Sequence, residues 1–296
     1  VAATVALLLG VGAAAFLALT RPRPLDGDAL PDHTPDPARG EMLFHAASCG
    51  SCHKAADGAP GAEEGLPTGS AALATPIGTF HPGNLTPDPE TGLGRWSDLD
   101  FVNAMTRGVS PEGHHYFPAF PYPSYVLMPI QDVLDLRAYL MGLPAVSSPP
   151  REPEVPMIAV ARRGVGLWNR LALEEGPFEP DPDQSDSWNR GAYLVNGPGH
   201  CGVCHTPRNW MMIPDESRHL AGGPHPAEEG DVPSLRGLVA RGRYKDVEDL
   251  TLALQWGETF GYDKLSSGGM ADVQINLAKL PEGDVRAIAE YLLSLH

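Results

Sequence analysis

The sequence predicts a mainly α-helical protein: two copies of one small domain behind a membrane-spanning helix. Three observations carry this reading. Residues Val1 to Thr20 form an apolar run without a charge, the pentapeptide Cys-x-x-Cys-His occurs at 49–53 and again at 201–205, and the residues around each pentapeptide repeat. A length of 296 residues leaves room for two domains of ordinary size. With 42% hydrophobic and 20% charged residues the body is globular, while 33 Gly and 31 Pro favour short helices joined by long loops. The balance of 21 Lys plus Arg against 37 Asp plus Glu, a net charge of −16, repels phosphate backbones. Nucleic acid is therefore excluded as a partner class, and a basic protein surface is favoured.

Residues 1–20 are long enough for an anchor, since about 20 residues at 1.5 Å each span the ~30 Å hydrocarbon layer. The run is longer than the apolar core of a cleaved signal, about 7–15 residues, and its one Ala-x-Ala pattern, Ala13 to Ala15, lies inside it. A retained transmembrane anchor is therefore expected. Arg21-Pro22-Arg23-Pro24 ends it, and the Pro- and Asp-rich stretch 21–37 reads as a stiff tether holding the rest off the membrane. The first domain is expected at 38–146, a connector at 147–187 with a helix over Met157 to Leu173, and the second domain at 188–296.

The repeat fixes the helices. Arg39-Gly40-Glu41-Met42-Leu43 precedes the first pentapeptide as Arg190-Gly191-Ala192-Tyr193-Leu194 precedes the second. Asp132, Val133, Tyr139, Leu140 and Leu143 fall on Asp284, Val285, Tyr291, Leu292 and Leu295 without a gap, in amphipathic patterns opened by Pro129 and Pro281 at N1. Phe101 to Met105 pairs with Leu250 to Leu254, with Gly108 and Gly257 as the helix stops. Each copy is helix, pentapeptide, long loops, helix, loop, helix.

Two thiols separated by two residues can form thioethers to both vinyl groups of a haem, while the adjoining imidazole takes one axial position on the iron. The covalent attachments are then Cys49, Cys52, Cys201 and Cys204, and the axial ligands His53 and His205. A zinc ribbon wants its Cys pairs about 15–20 residues apart. Here 201 − 52 = 149 positions separate them. A thioredoxin-like pair needs a βαβ context that neither half offers. Two covalently bound haem c groups are expected.

At this point the chain resembles the dihaem c-type cytochromes related to the membrane-bound cytochrome subunits of bacterial alcohol and aldehyde dehydrogenases. The resemblance spans nearly all of 38–296. It rests on Thr79-Phe80-His81-Pro82-Gly83-Asn84-Leu85-Thr86-Pro87-Asp88-Pro89-Glu90-Thr91-Gly92, on Tyr116-Phe117-Pro118-Ala119-Phe120-Pro121-Tyr122, on Cys204-His205-Thr206-Pro207-Arg208-Asn209 and on Gly268-Gly269-Met270-Ala271. It implies tandem class I cytochrome c-like domains and electron transfer on the outer, periplasmic face of the cytoplasmic membrane. It also implies Met270, in a Gly-rich loop 270 − 205 = 65 residues after His205, as the sixth ligand of the second haem. Relatives with Met at the Phe120 position would supply the first haem's ligand there, which this chain cannot do. Met128 is the leading substitute, His114 and His115 are its rivals, and Met105 or an open position completes the alternatives.

Around these ligands, Pro207 is placed to supply a carbonyl to the His205 ring, and Arg208, Asn209, Arg95 and Trp96 are candidates for haem propionates. Asn84 and Thr86 are expected to hold a Pro-rich loop through side-chain to backbone bonds. The functional expectation is a relay of single electrons between a dehydrogenase or quinol-oxidising respiratory complex and a terminal oxidase or soluble cytochrome c. The alternative is a catalytic dihaem enzyme of the peroxidase or thiosulfate dehydrogenase type, using an open or weakly ligated first haem. Commitment of all four Cys to thioethers weighs against the thiosulfate route.

Overall fold

A computed structural model describes all residues except 174–175, 228 and 257–268. Helix α1, Ala2–Leu19, has no buried residue and a mean hydropathy of 2.3 over 18 residues. It is about 27 Å long, close to the thickness of a hydrocarbon layer. It ends at Thr20, which is fully buried and returns both its N–H and its hydroxyl to the Phe16 carbonyl. The stretch that follows is extended but does not stand off the body. Leu25 exchanges two hydrogen bonds with the Asn103 side chain, and His33 bonds Asp135 at 2.7 Å. The expected tether is therefore docked along the first repeat, because its few side chains with a partner in the core find one.

Each repeat is built on a crossed helix pair. Helix α2, Pro37–Ala46, is capped by the Asp36 carboxylate on the N–H groups of Ala38 and Arg39. The turn α3, Cys49–Cys52, follows it; then come α4, Asp98–Arg107, the turn α5, Tyr122–Tyr125, and α6, Ile130–Met141. Helix α7, Ile158–Ala172, is the connector. The second repeat consists of α8, Asp186–Asn196, the turn α9, Gly202–His205, then α10, Val247–Trp256, α11, Gly269–Leu277, and α12, Glu282–Ser294. Helix α2 packs on α6 and α8 on α12, and each crossing is closed by the Arg and Asp of the repeat. Arg39 grips Asp132 at 2.9 and 3.0 Å, and Arg190 grips Asp284 at 2.8 and 2.9 Å. The bidentate fork fixes angle as well as distance. Pro129 and Pro281 occupy the N-cap, one residue outside the expected N1 position. Gly108 ends α4 in the left-handed region, as expected, whereas Gly257 lies outside the described residues.

The loops carry two small hairpins, β1 Leu73–Thr75 with β2 Gly78–Phe80 and β3 Gly223–Pro224 with β4 Asp231–Val232. The buried side chains of both repeats form one continuous core, Leu43, Val133, Leu136 and Leu140 joining Leu194, Val195, Val285 and Leu292. Helix α11 reaches across to pack on α2 and α3 of the first repeat. Connector α7 touches both repeats, Asn169 accepting from the Tyr122 hydroxyl and Trp168 donating to the Met211 carbonyl.

Candidate cofactor-attachment sites

The two pentapeptides fold alike. Helix α2 ends at Ala47, Ser48 turns the chain at φ +48°, and Cys49 to Cys52 makes one helical turn closed by His53 N–H on the Cys49 carbonyl. Helix α8 likewise gives way to His200 at φ +39°, and His205 N–H closes on the Cys201 carbonyl. One turn of helix places the two sulfurs three residues apart, on one side, with the imidazole next in line. No disulfide joins the cysteines. Desolvation pushes the Cys49 and Cys201 thiols up to about 12, so both are neutral thiols rather than thiolates. Among the described residues there is no group of three or more His, Cys, Asp or Glu placed to hold a bare metal ion.

Each imidazole is fixed through Nδ1. His53 donates to the Gly83 carbonyl at 2.7 Å and His205 to the Pro233 carbonyl at 2.8 Å. A ring whose Nδ1–H is held by a backbone carbonyl is the Nδ1–H tautomer, and it presents Nε2 to a metal. Burial lowers the basicity of both rings, which keeps them neutral as ligands must be. The backbone behind each ring is also the same. Gly69 N–H donates to the His53 carbonyl and Gly222 N–H to the His205 carbonyl, at 2.8 and 2.7 Å. Both glycines have φ near +75°, and a Cβ there would lie 2.3 Å from the Pro82 carbonyl oxygen or 2.5 Å from the Ser234 nitrogen. The donor set therefore suits a haem attached through paired thioethers with a neutral imidazole on its iron.

The acceptor for His205 is Pro233, and this corrects the assignment to Pro207. The Pro207 carbonyl accepts from Asp215 N–H instead, because the chain after Thr206 turns away from the ring. Arg208 donates from its two terminal nitrogens to the carbonyls of Met212 and Val203, its Nε being buried without a partner, and Asn209 accepts from Met211 and Ile213 N–H. Arg95 pairs with Glu90 on the surface, and the Trp96 carbonyl accepts from Arg137. Asn84 and Thr86 do hold their loop as expected, bonding each other and the Val146 backbone.

Met270 stands in the first turn of α11 rather than in a loop, and is half-buried. Gly268 before it lies outside the described residues. Met128 is buried beneath α5, with its N–H on the Tyr125 carbonyl. The Tyr125 phenol is buried beside Cys49 and Cys52, and burial with that company raises its pKa well above the usual value. Phe120 packs edge-on against Tyr116 and Tyr125 at 5.8 Å in both cases. Met105 is buried in α4. His115 is committed elsewhere: its Nε2 donates to the Thr20 carbonyl at 3.0 Å, and Asn169 lies against Nδ1. His114 packs against Tyr116.

Three residues missed in the sequence join the two sites. His200, next to Cys201, donates from Nε2 to the Ala47 carbonyl at 3.3 Å and packs edge-on against Tyr125 at 5.8 Å. Asn276 of α11 bonds His45 and the Ser51 hydroxyl inside the first pentapeptide. Tyr193 donates its hydroxyl to Asp132 across the repeats. The only sequence signal was for His200, which takes the place of Ser48 in the repeat. The Gly83 and Pro233 carbonyls lie 30 and 28 residues beyond their histidines.

A cytochrome c family model matches residues 37–144. A dihaem cytochrome c-type protein of Cereibacter sphaeroides is 40% identical over 98% of this chain and 96% of its own length. A nicotinate dehydrogenase subunit of Pseudomonas putida is 39% identical over 87% of this chain but only 21% of that protein. The cytochrome c subunit of gluconate 2-dehydrogenase from Pantoea cypripedii is 37% identical over 87% of this chain and 59% of its own. The chain thus spans nearly all of the first relative and less than two thirds of the other two.

Proposed function

This chain belongs to the dihaem c-type cytochromes, electron-transfer proteins with two covalently bound haem c groups, and from that premise we propose that it is a membrane-anchored relay. Cys49 and Cys52 would hold one group and Cys201 and Cys204 the other, with Nε2 of His53 and of His205 available to the irons. A haem held at each site would supply a one-electron Fe(III)/Fe(II) couple. Gly83 and Pro233 hold the two imidazoles in one tautomer, which limits their rearrangement as charge arrives and leaves. By the family resemblance Met270 would ligate the iron of the second haem, although α11 packs on α2 and α3 of the first repeat, and Met128 would ligate that of the first. Support for Met128 is its burial next to the Tyr125 segment beside Cys49, together with the commitment of the His115 ring to Thr20.

The observation that carries the relay is the contact between the attachment segments. His200, bonded to Cys201, touches Ala47, two residues from Cys49. Electron tunnelling weakens steeply with separation, so joining the two segments back to back favours passage between them. The donor is a dehydrogenase or quinol-oxidising complex, a reading supported by relatives named as dehydrogenase subunits. The acceptor is a terminal oxidase or a soluble cytochrome c, and the −16 charge would steer a basic one. Helix α1 anchors the chain in the cytoplasmic membrane with the haem domains on the periplasmic side.

Anaerobic mixing of the oxidised full-length protein with a one-electron donor tests this. Reduction of one haem followed by a concentration-independent redistribution to the other is the expected course. Fast cyanide or carbon monoxide binding at the first haem, with turnover of peroxide, would replace the relay with a catalytic enzyme.

A further inference from the structure

Helix α7 carries an uncovered apolar stripe. Val160, Leu167 and Leu171 are 58%, 46% and 60% exposed, and Met157 just ahead of the helix is 76% exposed. At 100° per residue, Val160, Gly164, Leu167 and Leu171 fall within about 60° of one another, with Arg163 and Arg170 along one edge. The opposite face fastens the helix to the body, through buried Val165 and Gly166, Trp168 on Met211 and Asn169 against Tyr122. The stripe is therefore presented outward by a rigid mount.

Its position identifies the occupant. Helix α7 abuts the point where α1 enters the body, and there Arg170 Nε donates to the Leu19 carbonyl. Gly166 backs onto Thr20 so closely that a Cβ would stand 2.3 Å from its carbonyl oxygen. With α1 as the membrane span, the C-terminal half of α7 sits at the boundary between hydrocarbon and water. Charge agrees. In a chain of net −16, α7 holds Arg162, Arg163 and Arg170 and no acid, and Arg21 and Arg23 follow α1. An amphipathic helix with arginines beside an apolar face suits an anionic lipid surface, where long basic side chains reach the phosphates while their stems stay in the boundary.

We infer that α7 is a second membrane contact, lying along the bilayer with Val160, Leu167 and Leu171 in the headgroup–acyl boundary and Arg163 and Arg170 on lipid phosphates. It rests on the anchor reading of α1 and not on the electron relay. Two attachments fix the tilt of the haem domains over the membrane, whereas a single helix would leave them free to swivel.

The test uses full-length haem-loaded protein in phosphatidylcholine–phosphatidylglycerol vesicles, carrying an environment-sensitive nitrobenzoxadiazole label at Leu167→Cys. Reference labels sit at Glu63→Cys, on an exposed loop, and at Leu8→Cys in α1. The Leu167 label should shift to the blue and lose most of its emission to a shallow spin-labelled lipid, while the Glu63 label changes neither. Quenching at Leu8 by a deep spin label with none at Leu167 overturns the α7 contact and leaves the anchor standing. A Leu167 label that becomes buried only on self-association, or only in complex with a dehydrogenase subunit, overturns it in favour of that protein partner. Absence of quenching at Leu8 removes the anchor itself and the inference with it.

Discussion

Substitution of Gly40 by alanine sets two opposing effects against each other. In an exposed helix interior Gly→Ala stabilises by about 1 kcal/mol, because glycine loses more backbone entropy on folding. At Gly40 the new Cβ would stand 2.0 Å from the Asp135 carbonyl oxygen and 2.6 Å from its carbon. Both opposing atoms are backbone of α6, so no rotamer change relieves the overlap, and the helix pair must separate by more than an ångström. Overpacking of this kind costs about 1–3 kcal/mol or more, and the Arg39–Asp132 fork loses its geometry as the helices part. The net expectation is destabilisation by about 2 kcal/mol, which lowers the melting temperature by about 4–8 °C for a protein of this size class. The repeat supplies an internal replicate, since at Gly191 the Cβ would meet the Ala287 carbonyl oxygen at 1.9 Å. Gly283, with open space around it, supplies the control and should be neutral or slightly stabilised. Denaturation followed by tryptophan fluorescence and the Soret band in the detergent-solubilised holoprotein measures all three. Equal or higher stability of Gly40→Ala, with Gly283→Ala behaving as expected, refutes close helix crossing as the reason for glycine at this position.

Met270→Ala should abolish the His/Met charge-transfer signature of one haem in near-infrared spectra and lower its potential; an unchanged spectrum sinks the ligand assignment. Met128→Leu should do the same for the other haem, and a retained band there moves the ligand to histidine. Burial lowers the pKa of His45 and His115 from the ordinary 6.5. Their neutral forms are the ones folding selects, so stability is complete above about pH 6.5, falls as the pH drops below it, and levels off beneath the folded pKa. The slope is up to about 1.36 kcal/mol per pH unit for each histidine, and His115→Gln should flatten it in melts between about pH 7.5 and 5. Association with a basic cytochrome c should slow as salt shortens the screening length from ~30 Å at 0.01 M to ~8 Å at 0.15 M; a rate flat in salt rejects charge steering.

Sequence alone determined what is periodic or covalent. Cys-x-x-Cys-His is local, so the shared helical turn at Cys49 to His53 and at Cys201 to His205 was legible. The Arg-Gly and Asp signatures located the paired helix crossings because each is a local pattern written twice. Tertiary structure decided everything that depends on chain segments meeting. The carbonyl for His205 comes from Pro233 and not from nearby Pro207, since a ring nitrogen selects its acceptor by direction rather than by distance along the chain. It also set His200 on Ala47, tied Asn276 to the first pentapeptide, and drew His115 away to Thr20. Those contacts join residues 95 to 225 positions apart. Proximity across such separations is a product of packing the two repeats on one core, and no local pattern of residues encodes it.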